Sequence, residues 1–441
     1  LSHMGMHMRI YDLIGIGFGP SNLALAIALQ EQSNAGQAEL DTLFIERQKE
    51  FSWHSNMLLD HAHMQISFLK DLVTLRNPSS SFSFLRYLHE KKRLQDFINL
   101  KTFYPSRLEF NDYLAWAASH FENICTYGEE VIDVLPELRD GAVSLLRVRS
   151  RGRNRALHER LTRNLVVGVG GAPNVPDRFL PLGADPRVFH SSRYLSELAR
   201  QKAPRKMAVI GAGQSAAEVF MDLHNRGVGV DLIMRARAIK PSDDSPFVNE
   251  IFNPEYADHL FKQPDDERAA LIDEFMNTNY AAPDLALIEQ IYDVFYRQKV
   301  AEGDKHRFLR RYDVVDASAE ADGIRLSLAN LDTNQIETQT YDAVVLATGY
   351  LRESHNALLR PLVAHLGPFA VDRHYCIVKS PDFRPSIFLQ GCCEATHGLS
   401  DTLLSITAIR TDEIGWAVRE ALRCASQDAE GDDAATADEV Y

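Results

Sequence analysis

The chain is poor in the features that mark several common classes of protein. It has five cysteines in 441 residues, at 125, 376, 392, 393 and 424. That is too few and too irregular for a disulfide framework. No run approaches the roughly 18 consecutive apolar residues of a membrane helix. No secretory leader is visible, so a cytoplasmic location without stable membrane insertion is expected. Basic residues are outnumbered, 47 Lys plus Arg against 61 Asp plus Glu. The resulting charge of −14 argues against general nucleic-acid binding, though not against a local basic pocket. No short repeat occurs, no Cys-x-x-Cys pair, and no His/Cys/Asp cluster with metal-ligand spacing, so no metal is expected. His61 and His63 merely alternate, and Cys392 and Cys393 are adjacent, which suits packing better than electron relay.

What is present is a large globular core composition, 45% hydrophobic and 24% charged, at a length that suggests two or three domains. Residues 1–8 contain Ser-His-Met and read as a cloning remnant. Residues 426–441 are acidic and Ala-rich and read as a mobile tail.

Two glycine motifs lie about 200 residues apart, each between an apolar strand and a helix former. In the first, Arg9–Ile14 leads into Gly15, Gly17, Gly19 and Pro20, and Leu23–Leu29 follows. Gly15 would permit the tight turn and Gly17 the close approach of a pyrophosphate to the helix N-terminus. Pro20 stands where a third glycine is usual, and proline is tolerated in a first helical turn. The next strand, Thr42–Ile45, ends at Glu46, which can accept bonds from ribose hydroxyls and would repel a 2′-phosphate. The bland alternative is a glycine turn that only packs a helix on a strand.

The second motif, Met207–Ile210 followed by Gly211, Gly213, Gln214 and Ser215, has the G-x-G-x-x-A form. Its next strand, Val228–Met234, ends at Arg235, with Arg237 and Lys240 behind. A guanidinium there favours a 2′-phosphate, the alternative being a solvated surface arginine. One site without and one with a 2′-phosphate pocket suggests a flavoenzyme using FAD and reduced by NADPH. Leu165–Gly171 and Tyr341–Tyr350, the latter with Ala347-Thr348-Gly349, read as exits from the two domains. With no redox cysteine pair, NADPH oxidation coupled to oxygen remains.

These motifs, with Asp12–Leu23, Met64–Pro78, Asp243–Glu250, Asn277–Tyr280 and His397–Ser405, resemble the N-hydroxylating flavin monooxygenases of siderophore biosynthesis, and most closely the L-ornithine N5-hydroxylases. The likeness runs from about Tyr11 to about Ile414. It implies an α/β fold of two Rossmann-like, three-layer domains, the NADPH domain inserted into the FAD domain, with a small substrate region at their junction. The expected division is 9–195 and 335–425 for FAD, 196–334 for NADPH, and about 241–300 for substrate. The implied reaction is hydroxylation of the terminal amine of L-ornithine by O2 through a C4a-hydroperoxyflavin. The substrate would be a small molecule, and self-association is compatible with the reading.

The same resemblance implies residue roles. Lys70, Asn249 and Asn279 would hold the substrate carboxylate and α-amino group, with Leu403 and Ser405 near its side chain. Gln65 would sit at the flavin–nicotinamide contact and, with Asn279, serve catalysis. Trp53, His54, Asp401 and Thr402 would line FAD. Tyr280 would contact the nicotinamide part, and Gln214 and Ser215 the NADPH phosphates. Against these stand a surface lysine, turn-forming asparagines and packing aromatics. L-Lysine, or a diamine such as putrescine or cadaverine, is the alternative substrate, since one methylene is worth only about 1–3 kcal/mol in a pocket. A diamine offers no carboxylate to Lys70. A third reading, a catalytically silent dinucleotide-binding scaffold, is disfavoured by the complete Lys70, Asn249 and Asn279 set.

Overall fold

A computed structural model describes residues 8–280 and 282–437. The strands, in chain order, are β1 (Ile10–Ile16), β2 (Thr42–Glu46), β3 (Cys125–Tyr127), β4 (Glu130–Arg139), β5 (Ala142–Arg151), β6 (Leu157–Val167), β7 (Ala172–Pro173), β8 (Val188–His190) and β9 (Lys206–Ile210). They continue as β10 (Gly229–Met234), β11 (Arg307–Arg310), β12 (Tyr312–Glu320), β13 (Gly323–Asn330), β14 (Ile336–Tyr341), β15 (Ala343–Leu346), β16 (Tyr350–Leu351) and β17 (Ser386–Leu389).

The first sheet has the order β3-β2-β1-β6-β5-β4, with β17 added in parallel beside the C-terminal half of β6. Its central strands are almost continuously apolar because both faces are covered. On one face lies the helix Pro20–Asn34, buried along the whole run Leu23–Leu29. It is enclosed on its far side by the C-terminal helix Thr407–Ala437. This explains why its sequence shows little amphipathic pattern. The second sheet, β11-β10-β9-β15-β8, is parallel throughout. Helices Gln214–Asn225 and Leu285–Val300 pack against it, and the antiparallel meander β12-β13-β14 lies over its other side. The chain thus folds as two Rossmann-like α/β domains, the second inserted in the first.

Two strands fall on the other side of the expected divisions. β8 and β15 were expected within 9–195 and 335–425, yet both join the second sheet, side by side. Their short runs are fully buried, as the interior of a parallel sheet requires. The return to the first sheet is made only at β17, after β16 has paired with β7. The last helix continues through Ala437, so residues 426–437 of the expected tail are helical, in keeping with their alanine content. Residues 1–7 of the expected remnant and 438–441 of the tail lie outside the described residues.

The second domain carries an acid-sensitive pair. His306 is 3% exposed. Its Nδ1 accepts the Val230 N–H at 3.0 Å, and its Nε2 lies 3.0 Å from His224 Nδ1. Both imidazoles are therefore held neutral. Burial, with His224, Lys305 and Lys206 nearby, pushes His306 down to about 4. Between that value and its ordinary 6.5, the unfolded chain binds a proton that the folded chain does not. Stability present above pH 6.5 is thus lost as pH falls toward 4, by about 3 kcal/mol at most from this group. Denaturant unfolding at pH 7.5 and pH 5 should show the loss, and His306→Gln should flatten it.

Candidate functional site

Both glycine turns end in helices that begin alike. Gly19 precedes the helix Pro20–Asn34 with φ −82° and ψ −168°. Gly213 precedes the helix Gln214–Asn225 with φ −96° and ψ −169°. Neither helix has a side-chain N-cap, so the first-turn N–H groups are free to meet an anion. Two residues earlier, Gly17 (φ +88°) and Gly211 (φ +144°) press on the carbonyls of Gly168 and Ala347, where a Cβ would come within 2.3 and 2.2 Å.

This match corrects the expected register of the first motif. Gly15 lies inside β1, where a Cβ would strike the Phe44 ring at 2.3 Å. The turn is made by Gly17, and Gly19 is the open position, with nothing within 4 Å of a Cβ. Pro20 is the first helical residue, and the third fingerprint position is Asn22. Asn22 is fully buried and donates to the Ile16 and Gly17 carbonyls at 3.1 and 2.8 Å.

At the end of β2 the Glu46 carboxylate accepts the Phe18 N–H at 2.7 Å and the Gln48 N–H at 2.9 Å. It is fixed at the edge of the first turn. At the end of β10, Arg235 is exposed. Its carbonyl accepts from Arg311 at 3.4 Å, while Arg237 and Arg311 share Asp332. The two strand ends therefore carry opposite charge. Gln214 is committed within the protein: its amide donates to Glu218 at 2.8 Å and Asp284 at 3.0 Å, and its oxygen accepts the Asp284 N–H. Ser215, next in the helix, is half-buried. Glu218 in turn takes a two-pronged pair from Arg107, at 2.9 and 2.8 Å, which ties the two domains together.

Trp53 and His54 stand in the cleft between the domains. Trp53 is held by its N–H to Asn111 at 2.8 Å and packs on Phe110 and His54. His54 adopts φ +50° and is exposed. Local crowding by protein, with Arg107 and Arg352 nearby, pushes its pKa down. Gln65 is exposed at the same side.

Three of the expected substrate residues, Lys70, Asn249 and Leu403, lie at one small apolar cluster of Ile251, Phe252 and Leu399, with Leu403 packed against it. Lys70 lies 5.9 Å from the Phe252 ring centre, and burial lowers its pKa. Asn249 opens the same helical turn, Val248–Phe252. Asn279 follows the turn Met276–Thr278, which the 241–247 loop grips through Ser242 Oγ to the Thr278 carbonyl at 2.8 Å and the Asp243 N–H to the Asn277 carbonyl at 3.3 Å. Both asparagines are half-buried. Ser405 is buried, and its Oγ has no hydrogen-bond partner. Tyr280 is 40% exposed, and its hydroxyl donates to Glu394 Oε2 at 2.5 Å.

Asp401 was expected to face the flavin, but its polar atoms are all engaged by protein. The carboxylate accepts the Cys393 N–H at 2.7 Å and lies 3.2 Å from Arg410 Nη1. Its carbonyl also accepts from Arg410, at 2.6 Å, and its N–H donates to Gly398. Thr402 is half-buried at the edge of this network. Arg410 continues to Ser21 Oγ at 2.9 Å and to Gln390 Oε1 at 3.2 Å, and Gln390 donates to Asn22 at 3.0 Å. Sequence reading missed Asn22, Arg107, Arg352, Glu394 and Arg410. The signal available for Arg410 was an arginine among small and apolar residues at the start of the last helix, Thr407-Ala408-Ile409-Arg410-Thr411. No signal distinguished the others from surface polar residues.

Among the described residues no cluster of His, Cys, Asp or Glu could hold a metal ion, and no helix is long and apolar enough to cross a membrane. Residues 9–352 match the family model of L-lysine 6-monooxygenase/L-ornithine 5-monooxygenase. The chain is 49% identical over 420 residues to an L-ornithine N(5)-monooxygenase of Pseudomonas aeruginosa, covering 94% of this chain and 95% of that one. Among solved structures it is similar to an ornithine hydroxylase from Pseudomonas aeruginosa, at a TM-score of 0.91 and 49% identity, covering 94% of this chain and all of that one. It is also similar to an ornithine N-hydroxylase of Kutzneria sp. 744 solved with reduced FAD, NADP+ and L-ornithine, at a TM-score of 0.88 and 37% identity over 93% of this chain and 99% of that one.

The buried Arg410–Asp401 pair generates a direct test. Arg410→Ala leaves Asp401 charged and uncompensated, at a cost of about 3–5 kcal/mol. Purified Arg410→Ala protein should melt lower and retain less flavin than wild type, whereas the surface change Arg423→Ala should do neither.

Proposed function

Because the chain belongs to the L-lysine 6-monooxygenase/L-ornithine 5-monooxygenase family, we propose that its cleft binds FAD, NADPH and L-ornithine and hydroxylates the terminal amine to N5-hydroxy-L-ornithine. The observation that carries the substrate assignment is the convergence of Lys70, Asn249 and Leu403 on Phe252, beside a buried Ser405 hydroxyl without a partner.

The two cofactors fit the residues present. Gly17, Gly19 and the open N-terminus of the first long helix would receive the FAD pyrophosphate, with Glu46 on its ribose. Gly211, Gly213 and Ser215 would receive the NADPH pyrophosphate, with Arg235 on the 2′-phosphate. Gln214 would act by fixing Asp284 and Glu218 rather than by touching phosphate, since its amide is already committed. Trp53, His54 and Gln65 would line the cleft between the two cofactors, with Thr402 beside Tyr280 across from them. Flavin reduced by NADPH supplies the activation of O2.

The rest falls to the protein. The ammonium of Lys70, partly desolvated, gains a partner when a substrate carboxylate arrives. Asn249 and Asn279 can each donate and accept, as a zwitterion needs. Anchoring the α-carbon end fixes how far the terminal amine reaches. Desolvation of that amine favours its neutral, nucleophilic form. The product, an N-hydroxylated amino acid, is a precursor for hydroxamate iron ligands. Lysine is the second reading. A diamine fits less well, because Lys70 would then face a cation.

The deciding measurement is hydroxylamine formed per NADPH consumed with ornithine, lysine and putrescine under excess FAD. Product from ornithine is expected; peroxide alone with all three would overturn the substrate assignment. Lys70→Ala should raise the KM for ornithine at least about 10-fold, by loss of a charge-assisted bond, while NADPH oxidation without substrate persists. Arg235→Ala should raise the KM for NADPH far more than that for NADH, and an unchanged ratio would remove Arg235 as the 2′-phosphate reader.

A further inference from the structure

The substrate segment is carried by the second domain but must close on the C-terminal segment of the first. Beside the apolar cluster of Ile251, Phe252 and Leu399, two polar side-chain tethers join them among the described residues. At the outer end, Arg373 pairs with Asp258 at 2.6 Å and with Glu413 at 3.1 Å. At the cleft end the tether is the hydroxyl of Tyr280 on Glu394 Oε2, at 2.5 Å. Its partners come from opposite sides of the cleft. Tyr280 follows Asn279 directly, and its N–H closes the turn on the Met276 carbonyl at 2.9 Å. Glu394 opens the short helix Glu394–His397, next to Cys393, whose N–H is fixed by Asp401.

The two ends of this bond differ in rigidity. Glu394 stands beside the buried Arg410–Asp401 network, which cannot move without exposing charge. Tyr280 stands on a partly exposed turn whose connection to the 241–247 loop rests on Ser242 and Asp243. The bond fixes Tyr280, and with it the turn that carries Asn279 and is gripped by the 241–247 loop, against the first domain. The carboxylate has Asp401 and Arg352 as its charged neighbours. Burial pushes the Glu394 carboxyl up, and the Tyr280 hydroxyl opposes that by hydrogen bonding to the charged form.

Resting on the reading of this cleft as an amino-acid N-hydroxylase, we infer that Glu394 is a positioning residue for substrate: through its hydrogen bond to Tyr280 it latches the Asn279 turn and the 241–247 loop over the bound amino acid. The latch holds the substrate against Lys70 and limits water at the reacting amine. Its loss lets substrate leave and lets activated oxygen decay to peroxide. Glu394 itself touches neither substrate nor cofactor in this account.

The test is a double-variant cycle on the full chain with FAD, using Glu394→Ala, Tyr280→Phe and the two combined. Ornithine KM, kcat and the share of NADPH recovered as H2O2 are the readouts. Each single variant should raise the KM for ornithine about 10-fold, as expected for a lost hydrogen bond to a charged acceptor, and raise the peroxide share, with a smaller change in kcat. The combined variant should match Tyr280→Phe, because Glu394→Ala removes only a bond that the loss of the tyrosine hydroxyl, which also meets Thr402, already removes. Glu394→Gln, whose amide oxygen can still accept from the tyrosine hydroxyl, should recover most of the loss. Tyr280→Phe removes a single oxygen atom, so it carries the test even where Glu394→Ala misfolds. Additive effects in the combined variant, or wild-type KM and peroxide share in both singles, overturn the latch while ornithine hydroxylation by the wild type stands. A wild type that makes no hydroxylamine from ornithine overturns the parent reading and the latch with it.

Discussion

The structure is organised around a buried guanidinium. Arg410 and Asp401 are 1% and 0% exposed at their side chains, a placement that water would oppose strongly for either ion alone. It is tolerated because every part of the pair is used. Arg410 reaches Ser21 at the start of the first long helix, Gln390 at the end of β17 and the backbone of Asp401. Through Gln390 and Asn22 the same chain of bonds arrives at the Gly17 carbonyl, in the first glycine turn. The pair therefore couples the stretch from Gln390 to Arg410 to the start of the first long helix, 368 to 389 residues earlier in sequence. Such a pair is a specificity device more than a source of net stability.

Opposite charges at the ends of β2 and β10 are the second organising feature. Glu46 is fixed by two backbone N–H groups, so it cannot swing away from the first turn. Arg235 is free at the end of β10 among other guanidinia. The two copies of one scaffold thus differ in the sign of the side chain at this strand end. The domains are not independent, however. Met57, Leu59 and Ala62 from the first part of the chain pack in the core of the second domain, and Arg107 reaches across to Glu218.

The parts legible in the sequence were those with a local signature. β1, β2, β9 and β10 are short apolar runs next to glycine turns, and they form nearly where periodicity places them. Glu46 and Arg235 were legible because a strand end has a fixed address. The register of the first motif was not, because three glycines at alternate positions allow two alignments. Only the clash of a Gly15 Cβ with Phe44, against the open space at Gly19, separates them. The domain divisions were misread at β8 and β15 because a buried strand looks the same whichever sheet receives it. Asp401 and Gln214 were placed beside cofactors, yet their bonds run into the protein. Gln214 meets Asp284 across 70 residues, and Arg410, the partner of Asp401, meets Ser21 across 389, so no local pattern encodes these networks.

The small pair β7–β16 has a consequence for how the chain assembles. Ala172–Pro173 and Tyr350–Leu351 lie hydrogen-bonded side by side, so everything between them forms a loop with a closed neck. The neck is drawn together by the second domain itself, since β8 and β15, just inside it, are neighbours in one sheet. For an open chain, bringing β17 beside β6 would mean closing a loop of more than two hundred residues, at an entropic cost that rises with length. Once the second domain has folded, the same contact closes a far shorter effective loop. The inserted domain acts on the first as a hairpin turn would: it sets the return point of the chain.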